Sequence, residues 1–346
     1  MNCTNLAFME EVLKEYGFAG SQYNISPLGN GLINTTWLVE KGEKKYVLQQ
    51  INQNVFRSPE DIAYNIRLLA AYLGKKQPGY LFVAPLHTLS GEDLVKQEQD
   101  YFRLFPFMDH SHSIDVVQKP QQAFEAAKQF GRFTKMLSGF DATQLKITLP
   151  SFHDLSLRYR QFEAALTTGN VQRMEQSGSL ISFLQSNKKI VDEFEMIKKQ
   201  FRIRCIHHDT KISNVLFDAQ DKGLCVIDLD TVMPGYFISD VGDMMRTYLC
   251  PVSEEEKDFS KIHIRGEFYR AIQEGYLSEM GAALTEFEKQ FFHYAGTFMI
   301  YMQALRFLTD HLNNDVYYGA RYEGHNFIRA GNQAVLLQRL LEFNPG

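Results

Sequence analysis

Apolar and polar positions change rhythm along this chain, and the rhythm predicts its elements. Thr35–Glu40 and Lys45–Ile51 are β-rich runs separated by Lys41-Gly42-Glu43-Lys44, a segment of turn composition. Together they predict a hairpin. From Ser58 the period becomes helical: Ser58 suits an N-cap, Pro59 the first helical position and Asp61 the first turn. Ile62, Ile66, Leu69 and Leu73 follow at steps of four, three and four, which makes one apolar stripe. Short strands are expected near Leu94–Lys96 and Tyr101–Phe105.

Beyond Phe107 helical patterns take over. Pro120–Leu137 reads as a helix with Phe124, Ala127 and Phe130 inward, and Val171–Phe201 as mostly helical. Phe287, Phe291, Tyr294, Phe298 and Leu305 form a long stripe at helical spacing. No repeat and no low-complexity tract interrupts this order. The expected class is α+β: a small β-rich lobe over residues 1–107, a crossing near Phe105–Met108, and a larger, mainly helical lobe over 108–346. Ligands favour clefts between such lobes.

Composition narrows the field. At 346 residues the chain suits two lobes, and 45% hydrophobic with 22% charged residues is ordinary for a globular protein. Lys+Arg 36 against Asp+Glu 41 gives a net charge of −5, which argues against nucleic acid as a partner. Cys3, Cys205, Cys225 and Cys250 show no Cys-x-x-Cys spacing and read as thiols in a reducing compartment. The first residues carry no basic start followed by an apolar run, and no window has the length of a membrane span. A soluble, cytoplasmic protein with no membrane partner is expected.

The chemistry concentrates in Arg204–Asp230, RCIHHDTKISNVLFDAQDKGLCVIDLD. Asp209 precedes Asn214 by five positions, and Asp228 follows Asn214 by fourteen. A hairpin of Val215–Phe217 with Leu224–Ile227 would bring Asn214 beside Asp228. Phosphoryl transfer needs one carboxylate to aim a hydroxyl and accept its proton, and a hard carboxylate plus an amide oxygen to hold magnesium on a triphosphate. Asp209, Asp228 and Asn214 suit those roles, with Asp230 as an extra contributor. An Asp near an Asn is by itself turn chemistry, and Ile-Asp-x-Asp by itself a strand end. Their order, with apolar strands between, favours catalysis. Zinc on His207 and His208 is disfavoured, because adjacent side chains on an extended chain point apart.

The segment resembles the kinase-like phosphotransferases of the aminoglycoside phosphotransferase and choline kinase superfamily, whose catalytic loop reads His-Gly-Asp-x-x-x-x-Asn. The resemblance implies a protein-kinase-like two-lobed fold, Asp209 as catalytic base, Asn214 and Asp228 as magnesium ligands and His207 as a loop-ordering residue. His208 departs from the usual glycine. Further stretches resemble the N-acetylhexosamine 1-kinases: QQINQNVFRSPEDIAYNI from Gln49, RLFPFM from Arg103, SFHDLSLRYRQFEAAL from Ser151, CVIDLDTVMPG from Cys225, SDVGDMMRT from Ser239 and LRFLTDHLNNDVYYG from Leu305. This likeness spans nearly the whole chain. It implies ATP-dependent phosphorylation of the anomeric hydroxyl of N-acetylglucosamine or N-acetylgalactosamine, with Mg2+.

On the nucleotide side, Gly29, Asn30 and Gly31 make a phosphate-covering loop, Asn34 adds a donor, and the crossing offers Pro106 and Met108 to the adenine. Related kinases carry a lysine on the third strand. Here that strand has Gln49, which brings no charge. Lys44, Lys45 and Arg57 are the open candidates for neutralising the phosphates, and each reads equally as surface charge.

On the acceptor side, four arginines balance four acids between Tyr301 and Gly346, so no acidic wall for a polycationic aminoglycoside is expected. A quaternary ammonium would want an aromatic cage. Arg306 and Tyr317 are by resemblance the acceptor-binding residues, with Tyr318 as a neighbour. The alternative for Arg306 is an i, i+4 ion pair with Asp310. Leu32 and Thr35 replace polar and acidic residues of the hexosamine kinases, a change that shifts or broadens selectivity if they touch the sugar. Asp240 and Asp243 are expected to bond catalytic-loop main chain, one of them partnered by Arg246. His153 and Asp154 read as a helix cap. The remaining alternatives are a kinase for another small alcohol, such as choline, homoserine or a different sugar, and a nucleotide-binding pseudokinase.

Overall fold

Strand alternation decides what each face of the small lobe can meet. A computed structural model of the chain describes residues 3–29 and 33–344. Helix α1 (Cys3–Lys14) leads into β1 (Asn24–Pro27), β2 (Thr35–Lys41), β3 (Lys44–Gln50), helix α2 (Pro59–Lys76), β4 (Val95–Gln97) and β5 (Asp100–Pro106). The strands form one antiparallel sheet in the order β1-β2-β3-β5-β4. In its register Trp37 faces Leu48 and Leu48 faces Leu104, so these residues share a face. They bury together with Val39 and Phe102 against Met9, Val12 and Leu13 of α1. The next row, Thr36, Gln49 and Arg103, must then lie on the opposite face.

Helix α2 starts as expected with Pro59 in its first turn, although the Ser58 side chain makes no capping bond. Its stripe of Ile62, Ile66, Leu69 and Leu73 is buried in the core of the larger lobe. Asn65 fixes this placement: its amide donates to the carbonyls of Lys146 (2.9 Å) and Val232 (3.1 Å) and accepts from the Lys146 N–H at 2.8 Å.

The larger lobe continues with α3 (Pro120–Met136), α4 (Leu155–Thr168), α5 (Val171–Gln176), α6 (Gly178–Ser186), α7 (Lys189–Ile197), β6 (Arg204–Ile206), β7 (Val215–Phe217), β8 (Gly223–Val226), β9 (Met233–Gly235), α8 (Phe237–Tyr248), α9 (Gly266–Met280), α10 (Glu286–Gln290), α11 (Phe292–Leu312) and α12 (His325–Glu342). The stretch Val171–Phe201 is thus divided into short helices, with poor helix formers at its breaks: Ser177 and Gly178, then Asn187. The aromatic stripe is also divided, at Phe291 between α10 and α11. In α3, Ala127 and Phe130 are fully buried, whereas Phe124 is half-buried. Among the described residues, no helix is long and apolar enough to cross a membrane. Cys205, Cys225 and Cys250 are buried free thiols.

Helices α8 and α11 pack closely enough to exclude a side chain. A Cβ at Gly242 would overlap the Ala295 carbonyl oxygen and lie 2.8 Å from the Met299 Cβ. Gly242→Ala is expected to destabilise the protein by about 1–3 kcal/mol through overpacking. Urea unfolding measures this, and an unchanged midpoint would contradict the close approach.

Candidate active site

Strand β6 delivers the chain to a loop whose main chain is held by two acids. The N–H groups of His207 and His208 donate to the Asp240 carboxylate at 3.2 and 2.8 Å. The Thr210 N–H donates to Asp243 at 2.8 Å, and the Thr210 hydroxyl donates to the Asp240 carbonyl. Asp240 and Asp243 stand one turn apart on α8, so both reach the same loop. Arg246, a further turn along, holds Asp243 and Glu254, each at 2.9 Å. Burial pushes the Asp240 carboxyl up to about 7, against the pull of the His208 and His207 N–H groups. These contacts match the structural assignment expected from SDVGDMMRT.

His207 is fully buried, with its ring against the edges of Phe130 and Phe133. Nδ1 accepts from the Asp209 N–H at 3.4 Å, and Nε2 donates to the Ile227 carbonyl at 2.9 Å. One imidazole therefore links the Asp209 loop to the residue before Asp228. His208 keeps the backbone that glycine would adopt, with φ at +67°. Its ring fills the space left by Gly235, where a Cβ would sit 2.5 Å from the ring carbon Cε1. Nδ1 lies 3.2 Å from Nδ1 of His153, so one ring donates to the other. Burial holds His208 down at about 3 and His153 well below its usual value, so both stay neutral. Asp154, next to His153, caps α4 by accepting from the Leu157 N–H. Among the described residues, no group of three or more His, Cys, Asp or Glu could hold a metal ion.

The hairpin of β7 and β8 pairs Val215 with Val226. The Ile227 N–H then donates to the Asn214 carbonyl at 2.9 Å, which sets Asp228 beside Asn214. Asn214 Nδ2 donates to the Asp209 carbonyl (2.9 Å) and to its carboxylate (3.1 Å). The structure thus brings Asp209, Asn214 and Asp228 together. Asp228 stands two residues past the end of β8, at φ +60°. Its surface is open to solvent, yet protein crowds the turn around it. The protein packed around it, and then the charges of Asp230 and Asp209, raise its carboxyl above the usual carboxylate range. With the Asn214 amide nitrogen turned to Asp209, the donors left are an amide oxygen and a carboxylate. This hard-oxygen set suits magnesium better than a soft metal.

Two charged residues were not legible as site members. Lys211 Nζ lies 3.1 Å from the Asp209 carboxylate. Burial works against its charge, but the attraction of Asp209 raises its pKa. Its only sequence signal is its position, two residues past the acid. Arg103 is the other. It is fully buried, pairs with Asp230, and takes Gln49 as an additional acceptor. A lone arginine within an apolar strand was its signal. Asp230, read from the sequence as an extra contributor to the metal, is buried with its carboxylate engaged by Arg103 and Asn34. Asn34 donates to Asp230 at 2.8 Å and accepts from the Asn52 N–H. Lys44, Lys45 and Arg57 are exposed, and Lys45 lies 3.7 Å from Glu40. Gly29 has φ +69°, whereas Asn30 and Gly31 lie outside the described residues, as does Leu32. At the crossing Pro106 and Met108 are half-buried, and the Met108 carbonyl accepts from the Ser111 hydroxyl.

On the acceptor side, Arg306 is packed among rings. Its guanidinium carbon is 5.6 Å from the centre of Phe152, 5.8 Å from Tyr317 and 5.4 Å from Tyr318. Its nitrogens approach the Tyr317 hydroxyl and Gln303 at 3.4 Å. The alternative pair with Asp310 does not form, because Asp310 accepts from the N–H groups of Tyr317 and Tyr318. Phe152 stacks on His153 at 4.4 Å, and His153 touches His208, so contacts run from Arg306 to the Asp209 loop. Arg306, Tyr317 and Tyr318 also line a cavity of about 320 Å³. A larger cavity, about 740 Å³, lies by α1 and β1 and is lined by none of the site residues.

The chain belongs to the phosphotransferase enzyme family, whose pattern matches residues 24–287. Its fold is the protein-kinase-like, two-lobed α+β fold of that family. A microcompartment-associated aminopropanol kinase is similar at 18% identity over 97% of this chain and 98% of that chain, with a TM-score of 0.65. A spectinomycin phosphotransferase in complex with ADP and spectinomycin is similar at 14% identity over 99% of each chain, with a TM-score of 0.59. A choline kinase from Cryptosporidium parvum is similar at 10% identity over 98% of this chain and 95% of that chain, also with a TM-score of 0.59. At these identities the likeness is one of fold.

The buried His208 ring has a consequence for pH. An unfolded histidine binds a proton below about pH 6.5, whereas folded His208 resists protonation down to about 3. Stability contributed by this neutral ring is therefore lost as pH falls through 6.5. His208→Gly is expected to gain on the wild type by about 1.4 kcal/mol for each unit below that pH. Urea unfolding from neutral to mildly acid pH measures the difference, and a constant gap would contradict the buried neutral ring.

Proposed function

We propose that the protein transfers the γ-phosphate of ATP to the anomeric hydroxyl of an N-acetylhexosamine, N-acetylglucosamine or N-acetylgalactosamine, giving the sugar 1-phosphate. The observation that carries the reading is the meeting of Asp209, Asn214 and Asp228 beside a cationic Lys211. In this reading the Asp209 carboxylate orients the sugar hydroxyl and accepts its proton as the phosphoryl group departs from ADP. Asp228 and the Asn214 amide oxygen would hold Mg2+, which neutralises phosphate oxygens when bound. Lys211 adds charge where the transferring group develops it.

Residues 1–107 are proposed as the lobe that covers the nucleotide and residues 108–346 as the lobe that carries catalysis and the acceptor. Gly29, Asn30, Gly31, Asn34 and Gln49 are assigned to the phosphate side, and Pro106 and Met108 to the adenine. Arg306 and Tyr317 are assigned to the acceptor. A neutral sugar is favoured over choline by the rings around Arg306: its guanidinium already occupies the faces that a quaternary ammonium would need.

The test is a panel of acceptors with ATP and Mg2+, read by phosphorus NMR of the product. The expected product is an anomeric phosphate from N-acetylhexosamines. Phosphorylation of choline, ethanolamine or homoserine alone would contradict the assignment. Asp209→Asn is expected to lower kcat by about 10²–10⁴-fold while ATP binding persists. Arg306→Ala is expected to raise the acceptor KM by roughly 10–100-fold, the loss of a charged hydrogen bond, with the ATP KM unchanged. A shifted ATP KM instead would place Arg306 outside the acceptor site.

A further inference from the structure

The third strand of this sheet carries Gln49, an uncharged side chain, in the row that faces the larger lobe. Arg103 stands directly opposite it on β5. The Arg103 side chain is 2% exposed and that of Asp230 1%, so both are removed from water. Nη1 lies 2.6 Å from one Asp230 oxygen, and Nη2 donates to the other at 2.8 Å. Nε and Nη2 also donate to Gln49 Oε1, at 3.0 and 2.6 Å. Asn34 and Thr148 complete the grip, on the Asp230 carboxylate and carbonyl respectively. Asp230 belongs to the short helical turn Leu229–Thr231, for which Asp228 is the N-cap residue. Whatever fixes Asp230 therefore fixes the turn that presents Asp228.

We propose that Arg103 is a positioning residue: acting through Asp230, it ties the small-lobe sheet to the Asp228 turn and so sets the cation-binding geometry. The inference rests on the reading of Asp228 as a cation ligand. The guanidinium meets the carboxylate through a hydrogen bond from Nη2 and a close charge contact from Nη1, and its planar fork fixes direction as well as distance, which a single ammonium does not. Stability alone does not demand it, since a buried ion pair exchanged for apolar residues of similar volume is often neutral or stabilising. Gln49 serves the same arrangement. Its carbonyl oxygen is an acceptor for the guanidinium, which a lysine at that position would repel.

Removing one partner strands a buried charge and threatens folding, so the test removes both. Arg103→Met/Asp230→Leu is expected to melt within a few degrees of the wild type. It is expected to bind Mn2+–ATP, followed by electron paramagnetic resonance, about 10–100-fold more weakly, the loss typical when residues behind a metal ligand are removed. The acceptor KM should stay near the wild-type value. Arg103→Lys keeps the charge without the fork, and should weaken Mn2+–ATP in the same direction by a smaller factor. If the double variant does not fold, the lysine variant decides. Wild-type Mn2+–ATP affinity in whichever variant folds overturns the role of the pair while leaving the proposed activity intact. A wild-type chain that binds no Mn2+–ATP overturns both.

Discussion

Two carboxylates on consecutive turns of α8 hold the loop on which the rest of the site depends. Asp240 takes the N–H groups of His207 and His208, and Asp243 takes that of Thr210. Buried N–H groups without partners are costly, so the loop is restricted to the one path that satisfies them. That path includes a left-handed residue at His208 and leaves the Asp209 side chain free of α8. Gly242 allows α8 to sit against α11, and Arg246 holds the Asp243 carboxylate in place. Core packing and loop geometry are thus one problem, solved by a single helix.

A second constraint brings the distant parts together. Register in the β7–β8 hairpin sets Asp228 beside Asn214, and a slip by one residue would turn Asp228 to the other face. His207 braces the same turn from the loop side, through the Ile227 carbonyl. Arg103 meets it from the small lobe, through Asp230. The turn is therefore held from three directions, each from a different part of the chain. Such over-determination suits a site where ligand geometry matters more than bulk stability.

Local patterns were legible where local physics decides. The hairpin at Thr35–Gln50 and the stripe from Ile62 to Leu73 follow from periods of two and of three to four. The meeting of Asp209 with Asn214, and of Asn214 with Asp228, was readable because one short loop and one short hairpin separate them. The lobe that receives α2 was not readable, because a stripe states that a face is buried and not what buries it. Neither was Arg103, whose partner Asp230 lies 127 positions away. Arg306 falls between these cases. Its helix was evident, but the choice between Asp310 and a set of rings depended on the loop after α11, where the Tyr317 and Tyr318 N–H groups claim the carboxylate.

The proposed reaction requires Asp228 and Asn214 to share one cation at the end of the Asp209 loop. Crystals grown with Mn2+ and a non-hydrolysable ATP analogue would locate that cation through the anomalous signal of the metal. The expected peak is contacted by the Asp228 carboxylate, the Asn214 amide oxygen and the nucleotide phosphates, with the Asp209 carboxylate facing the terminal phosphate. A metal on Asp230, or one held without Asp228, would contradict it.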